Sequence, residues 1–201
     1  MNVFIVYAHP SKKSYTYKIL QKTINALQKE KCNIVLSDLY AMNFHSDMSE
    51  EEYEREGFAR TEKPLSFDVI EEQNKIEKAD CIIFLYPVWW SDCPAKLKGW
   101  FDRVYSVGYA YGYNEVGEKI KTMKHIKLGL VLCTAGHPND FLEKTGIAES
   151  MRKIMIDDRL GKRFEKKEMI ILGGTLAPGK NCLTHEKHIN ELVNKIKEYC
   201  T

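Results

Sequence analysis

No apolar run in this 201-residue chain approaches the ~20 residues that a membrane-spanning helix needs. Residues 1–10, MNVFIVYAHP, hold an apolar stretch too short for a secretory leader, with no basic segment ahead of it. The six cysteines (Cys32, Cys81, Cys93, Cys133, Cys182, Cys200) contain no C-x-x-C, so neither a disulfide framework nor a zinc pattern is read. Lysine and arginine nowhere gather into a block interleaved with aromatics, and the net charge is only +2. A nucleic-acid partner is therefore not expected. There is no G-x-S-x-G elbow, no C-x5-R loop and no Gly-Lys-Ser/Thr phosphate loop. His185 and His188 stand three apart without a third ligand, so a solvated helix start, and no metal, is expected. What remains is a cytoplasmic protein of ordinary composition, read as one domain over residues 1–201.

The most informative stretch present is residues 81–104, CIIFLYPVWWSDCPAKLKGWFDRV. Cys81 to Tyr86 are apolar at every position, as in a strand buried on both faces of a parallel sheet. Pro87, Val88, Trp89, Trp90 and Ser91 follow as a loop, and Pro94 suits the first turn of a helix. Leu97, Trp100, Phe101 and Val104 form that helix's apolar stripe. Earlier, residues 3–7 read as a strand. After them come His9, Lys13, Ser14, Tyr15 and Thr16, opening a helix that carries Ile19, Leu20, Ile24 and Leu27. Ser14 or Thr16 would cap it, leaving free N–H groups able to hold an anion. Residues 33–37 read as a second strand and 68–78 as a helix. Between them, residues 41–67 form an acidic excursion, a lid or dimer arm whose charge run is a solvated face.

Beyond the central helix, Tyr109, Tyr111 and Tyr113 alternate with small residues, as in a loop that presents them together as an interface or pocket wall. Residues 126–133 read as a fourth strand, ending at Thr134, Ala135, Gly136 and His137, where a glycine lets backbone N–H groups approach a ligand. Residues 141–160 are helical in their second half, 169–172 form a fifth strand, and 184–199 form a last helix with Thr184 as cap. Five strands alternating with helices give a flavodoxin-like, doubly wound α/β fold, sheet order 2-1-3-4-5, with helices on both faces. Its switch point lies between strands 1 and 3, so the loops at His9, Pro87 and Thr134 converge on one crevice.

These residues carry a resemblance. Ala8-His9-Pro10 with Ser14-Tyr15, Ser37-Asp38-Leu39-Tyr40, Pro87-x-x-Trp90-x-x-x-Pro94-Ala95-x-Leu97-Lys98-Gly99-Trp100-Phe101-Asp102-Arg103-Val104, Ala110-Tyr111 with Tyr113, and Thr134-x-Gly136 run in order over about three quarters of the chain. The pattern resembles the NAD(P)H:quinone oxidoreductase family. The resemblance implies a flavin, a homodimer, and two-electron ping-pong hydride transfer from NAD(P)H to a quinone or similar acceptor. It places the flavin phosphates at His9 and at Lys13, Ser14, Tyr15 and Thr16. Pro87, Val88, Trp89, Trp90 and Ser91 would run along the ring, with Thr134, Ala135 and Gly136 at its pyrimidine end. Trp90, Tyr111, Tyr113 and Phe141 would line the acceptor pocket, the tyrosines reaching it from a partner subunit. FAD is the first expectation and FMN the alternative.

The chain also departs from the pattern. The tyrosine and histidine that support the reduced flavin in mammalian members fall, by spacing, at Phe141 and Ala148, so His137 or the backbone of the Thr134 loop must take over. Trp89 stands where glutamine is common. Two other readings share the fold: a flavodoxin-type electron carrier, and a flavin-binding regulatory subunit touching a membrane transporter through residues 49–56.

Overall fold

The structure, a computed structural model, describes residues 1–113, 117–118, 122–177 and 182–200. Five strands, β1 (Asn2–Tyr7), β2 (Asn33–Asp38), β3 (Cys81–Pro87), β4 (Ile126–Thr134) and β5 (Phe164–Leu172), form one parallel sheet in the order β2-β1-β3-β4-β5. All seven residues of β3 are buried, as its unbroken apolar run requires. The strand ends run level: Tyr7 pairs with Leu85, and Pro87 with Thr134. The loops after β1, β3 and β4 therefore leave the same edge of the sheet side by side.

Alternation along the strands sorts side chains to two faces. Val3, Ile5, Tyr7, Cys81, Ile83, Leu85, Leu130 and Leu132 pack under α1 (Tyr15–Lys29) and the C-terminal helix, Cys182–Cys200. Phe4, Val6, Ile82, Phe84, Tyr86, Val131 and Cys133 pack against the helices between β2 and β5. Those are α2 (Glu50–Gly57), α3 (Phe67–Lys78), α4 (Ala95–Val104), α5 (Asn139–Lys144) and α6 (Ile147–Arg152); the C-terminal helix is then α7. Past α6 the chain widens into a π-helical segment, Lys153–Leu160, and closes with a 3₁₀ turn, Gly161–Arg163.

Several expectations change. β5 begins at Phe164 rather than near residue 169, because Glu165, Lys166 and Lys167 lie on the sheet's outer edge, where charged side chains stay hydrated. Thr184 lies inside α7 rather than capping it. Residues 141–160 hold two short helices and the π segment instead of one late helix.

The excursion is not a loose acidic face. Ser49 and Glu52 close a capping box at the start of α2. The segment then lies along α4: Lys96 donates to the Phe44 carbonyl at 2.6 Å, and Arg103 to the His45 carbonyl at 2.7 Å. Gly99 makes this close approach possible, since a Cβ there would sit 2.1 Å from the Ser46 carbonyl oxygen. Glu50 and Glu51 remain exposed, but Glu52, Arg55 and Glu56 turn inward. No helix among the described residues is long and apolar enough to cross a membrane.

Candidate active site

The loop after β1 is folded on itself. The Ser11 amide donates to Nδ1 of His9 at 2.9 Å, so a neutral His9 carries its proton on Nε2 and keeps that nitrogen as a donor. Burial holds the His9 pKa below its ordinary value, which keeps it neutral. Ser14 caps α1 by accepting from the Tyr17 amide at 3.0 Å. The Thr16 amide, within the first turn, finds no acceptor among the described residues. The hydroxyl of Tyr7, buried at the end of β1, lies next to the side chain of the cap residue Ser14. Lys12 and Lys13 are exposed at the rim. An orphan amide and two cations at a helix N-terminus are the equipment of an anion site.

The hydroxyls of two residues assigned to that site are employed otherwise. The Thr16 hydroxyl is 2.8 Å from that of Thr134, buried, and stitches the loop after β1 to the end of β4. The Tyr15 hydroxyl donates to Nδ1 of His185 at 2.7 Å, while His185 Nε2 donates to the Gly173 carbonyl at 3.2 Å. His185 is thus a buried strut between α1, α7 and the loop after β5, not part of a solvated helix start. Burial lowers its pKa. His188 pairs instead with Glu191.

The loop after β3 makes a tight turn. The Val88 amide donates to the Thr134 carbonyl at 2.8 Å. Trp89 and Asp92 exchange two backbone hydrogen bonds, N to O at 3.0 and 3.2 Å. The residues between them, Trp90 and Ser91, have φ of 48° and 63°. That is the left-handed pair of a type I′ turn, normally given to glycine or asparagine. Trp89 leans edge-on against His9, ring centroids 5.9 Å apart, so the departure at this position packs one site loop onto another. Trp90 projects fully, with an exposure of 101%.

The loop after β4 presents donors. Ala135 spends its amide on the Leu172 carbonyl and its own carbonyl on Thr175, but the amides of Gly136 and His137 find no acceptor among the described residues. The His137 ring stacks on Phe141 at 4.3 Å and 24°, which joins two residues singled out separately in the sequence. Ala148 is packed in the core. Leu176, a position that no motif or period singles out, lies over Gly136: a Cβ there would be 3.4 Å from its Cγ.

The tyrosines do not act as one row. Tyr109 is buried and donates to Glu77 at 2.8 Å, while Tyr111 and Tyr113 are exposed. The Tyr111 hydroxyl donates to Glu56 at 3.2 Å. Tyr111 and Tyr113 line a cleft with Asp158, Lys162 and Arg163, apart from the His9 and Thr134 loops of their own chain. Sequence reasoning also missed Arg159, whose guanidinium grips the Asp92 carboxylate through two hydrogen bonds, 2.8 and 3.0 Å. The partners are 67 residues apart and no local pattern connects them.

Comparison with known proteins agrees with this geometry. Residues 1–161 match the Flavodoxin_2 family model, described as a flavodoxin-like fold. An NAD(P)H:quinone oxidoreductase from Methanothermobacter marburgensis is 44% identical, with a TM-score of 0.85 over 98% of this chain and 96% of that one. Rat NAD(P)H dehydrogenase [quinone] 1 is 35% identical over 75% of this chain but only 59% of its own length. An FMN-dependent NADH-azoreductase from Bacillus anthracis, solved with FMN, shares the fold at TM-score 0.70 and 19% identity, over 97% and 98% of the two chains. With a parallel sheet in flavodoxin order, three loops meeting at its switch point, and 44% identity along nearly its whole length, the chain belongs to the NAD(P)H:quinone oxidoreductase family.

Proposed function

We propose that this protein holds a flavin in the crevice between the loops after β1, β3 and β4, and reduces quinones with electrons from NAD(P)H. One observation carries the reading. Backbone donors without acceptors among the described residues flank a single crevice, at Thr16 on one side and at Gly136 and His137 on the other, with an exposed indole, Trp90, on the loop between. Such a set suits a flat, hydrogen-bond-accepting ring with a phosphate tail. A bound flavin would supply the redox chemistry, accepting two electrons as hydride and passing them on.

The chain's own residues would do the rest. The α1 N-terminus, His9 Nε2 and the rim lysines hold the phosphate. The backbone of residues 87–89 gives the ring a floor, and Thr16 with Thr134 keeps the two flanking loops at fixed spacing. The Gly136 and His137 amides donate toward the pyrimidine end, and the stacked His137 ring adds a third donor where negative charge develops. His137→Ala that left the rate of reduction by NAD(P)H unchanged would remove the imidazole from that role. Trp90 walls the open side, where donor and acceptor bind in turn, so parallel double-reciprocal plots are expected. A second copy of the chain would complete the pocket with its tyrosines, which explains why Tyr111 and Tyr113 stand exposed and away from the crevice of their own subunit.

FAD is the first assignment and FMN the alternative. Mass spectrometry of the released cofactor decides between them. The purified protein should be yellow, bleach with NADPH or NADH and recover with a quinone. A protein that stays colourless with added FAD and FMN overturns the proposal.

A further inference from the structure

The turn that carries Trp90 is built against its own preference. Both central residues are left-handed and neither is glycine, and one is the bulkiest side chain available. Such a turn persists only where its surroundings over-determine it. The two backbone hydrogen bonds between Trp89 and Asp92 close it from within. From outside it is held at one corner. The Asp92 carboxylate accepts the Cys93 amide at 2.7 Å and both Nη atoms of Arg159.

Arg159 is well placed for this. Its side chain is only 9% exposed. The guanidinium lies 5.3 Å from the Phe101 ring centroid and donates to Cys93 Sγ at 3.3 Å and to Met155 Sδ at 3.1 Å. The contact with the Phe101 ring and a fixed fork of donors leave it little freedom, unlike a lysine. It is delivered by the eight-residue π-helical segment, a conformation rare in proteins and frequent near functional sites. Trp90 itself has no ring contact with another side chain among the described residues and is fully exposed. The turn sets where the indole leaves the backbone, and so which part of the crevice mouth it can cover.

We propose that Arg159 is a positioning residue: through Asp92 it fixes the Trp90 turn, and so determines which acceptors the crevice favours. This rests on the flavin-site reading above. An indole anchored at the crevice mouth offers a flat wall to a wide planar acceptor, whereas a one-ring acceptor gains little from it. A lost stacking contact of this kind is worth roughly a two- to tenfold change in affinity.

The test uses two variants, Arg159→Met and the milder Asp92→Asn, which leaves the buried cation in place. In protein labelled with 5-fluorotryptophan, and without added flavin, the chain's three tryptophans give three 19F resonances. The Trp90 resonance, assigned through Trp90→Phe, should shift and broaden in both variants while that of the buried Trp100 stays. In flavin-loaded protein, KM for 2-methyl-1,4-naphthoquinone should rise about fivefold, with kcat and the KM for 1,4-benzoquinone within about twofold of the parent. Arg159→Lys should recover melting temperature more fully than the Trp90 resonance. An unmoved Trp90 resonance in folded Asp92→Asn, or equal KM increases for both quinones, overturns the proposal. So does loss of the fold in Asp92→Asn, which would make the pair purely structural. Failure to take up any flavin sinks the flavin reading instead, and the resonance still decides this one.

Discussion

The two faces of the sheet are held by different forces. Under α1 and α7 the buried contacts are mainly apolar and the few polar ones, such as Tyr15 with His185, pair neutral groups: Ile5, Ile83, Leu85, Leu130 and Leu132 pack with Ile19, Leu20, Leu27, Leu192 and Ile196. The opposite face has an apolar layer too, but buried charge is threaded through it. Glu72, fully buried, accepts from the Trp100 indole at 2.8 Å, from Ser37 at 2.8 Å and from Lys75 at 2.5 Å. Arg103 grips Glu52 and Asp68, and Arg55 pairs with Glu56. Apolar burial is non-directional and resists pulling apart. Ion pairs with two or three hydrogen bonds each add little net stability once desolvation is counted, but they fix angles. The charged face is the one where segments remote in sequence, the excursion, α4 and the π segment, must be aligned beside the site loops. One face supplies cohesion, and the other supplies cohesion with register.

The sharpest way to break this contrast is to remove a charge from one face and an aliphatic group from the other. Arg103→Met strands two carboxylates, Glu52 and Asp68, and should cost about 3–5 kcal/mol in urea unfolding. Leu192→Ala, fully buried under the sheet, should cost about 2–5 kcal/mol. The expected difference lies in what else changes. Leu192→Ala should leave acceptor kinetics at parent values below its melting temperature. Arg103→Met should loosen α2 and α4 and alter KM for quinones. Equal kinetic damage from both would mean that the two faces do not differ in role.

Much of the fold was legible because the central strands and helices carry unambiguous periods. Cys81 to Tyr86 can be little else than a doubly buried strand, and Ile19, Leu20 and Leu27 mark the buried stripe of α1. The level strand ends then bring His9, Trp89 and Thr134 together, as the switch-point argument required. What stayed hidden was the polar pairing, most of it on the charged face. A run such as Ser49-Glu50-Glu51-Glu52 reads as solvated from its composition, because its buried members have partners in a distant helix. The contacts between Tyr15 and His185, and between Arg159 and Asp92, span 170 and 67 residues. Hydrophobic periodicity says where a helix faces, not which polar groups meet across it. Phe164–Leu172 shows the same limit at an edge strand, where half the residues need no burial and leave no period to read.

Acid should separate the faces without mutation. Burial pushes the Glu52 carboxyl up, but hydrogen bonds from Arg103, the Ser49 amide and Ser66 outweigh it and hold its pKa down to about 2. A carboxyl depressed by folding contributes stability that is present above its unfolded value, 4.5, and is lost as pH falls from there toward 2. Amide exchange followed from about pH 6 to 3 should therefore show α2 losing protection before residues 189–196 of α7, which are held on the sheet by apolar side chains while the pair of Lys195 with Glu168 is partly exposed at its edge. Simultaneous loss would place the acid-sensitive group elsewhere.

The smallest expected effect tests whether the excursion helix orients a pocket tyrosine. Glu56 accepts the Val107 amide at 2.6 Å and the Tyr111 hydroxyl at 3.2 Å on one oxygen, and Arg55 at 2.6 Å on the other. In Glu56→Gln one of those oxygens becomes an NH2 group. If the amide oxygen keeps Val107, a donor faces the Arg55 guanidinium, so one contact is lost whichever way the amide turns. That should cost about 1–2 kcal/mol. Tyr111 reports the geometry directly. Burial, and then the Glu56 charge, push its pKa up to about 12. A tyrosine raised by folding contributes stability that is intact below pH 10 and lost as pH climbs through its folded value. Removing the Glu56 charge should bring the titration of 13C-labelled Tyr111 back toward 10, leaving that of Tyr109, held by Glu77, where it was. If Tyr111 titrates unchanged in Glu56→Gln, the excursion holds the fold but not the tyrosine, and register on the charged face ends at α4.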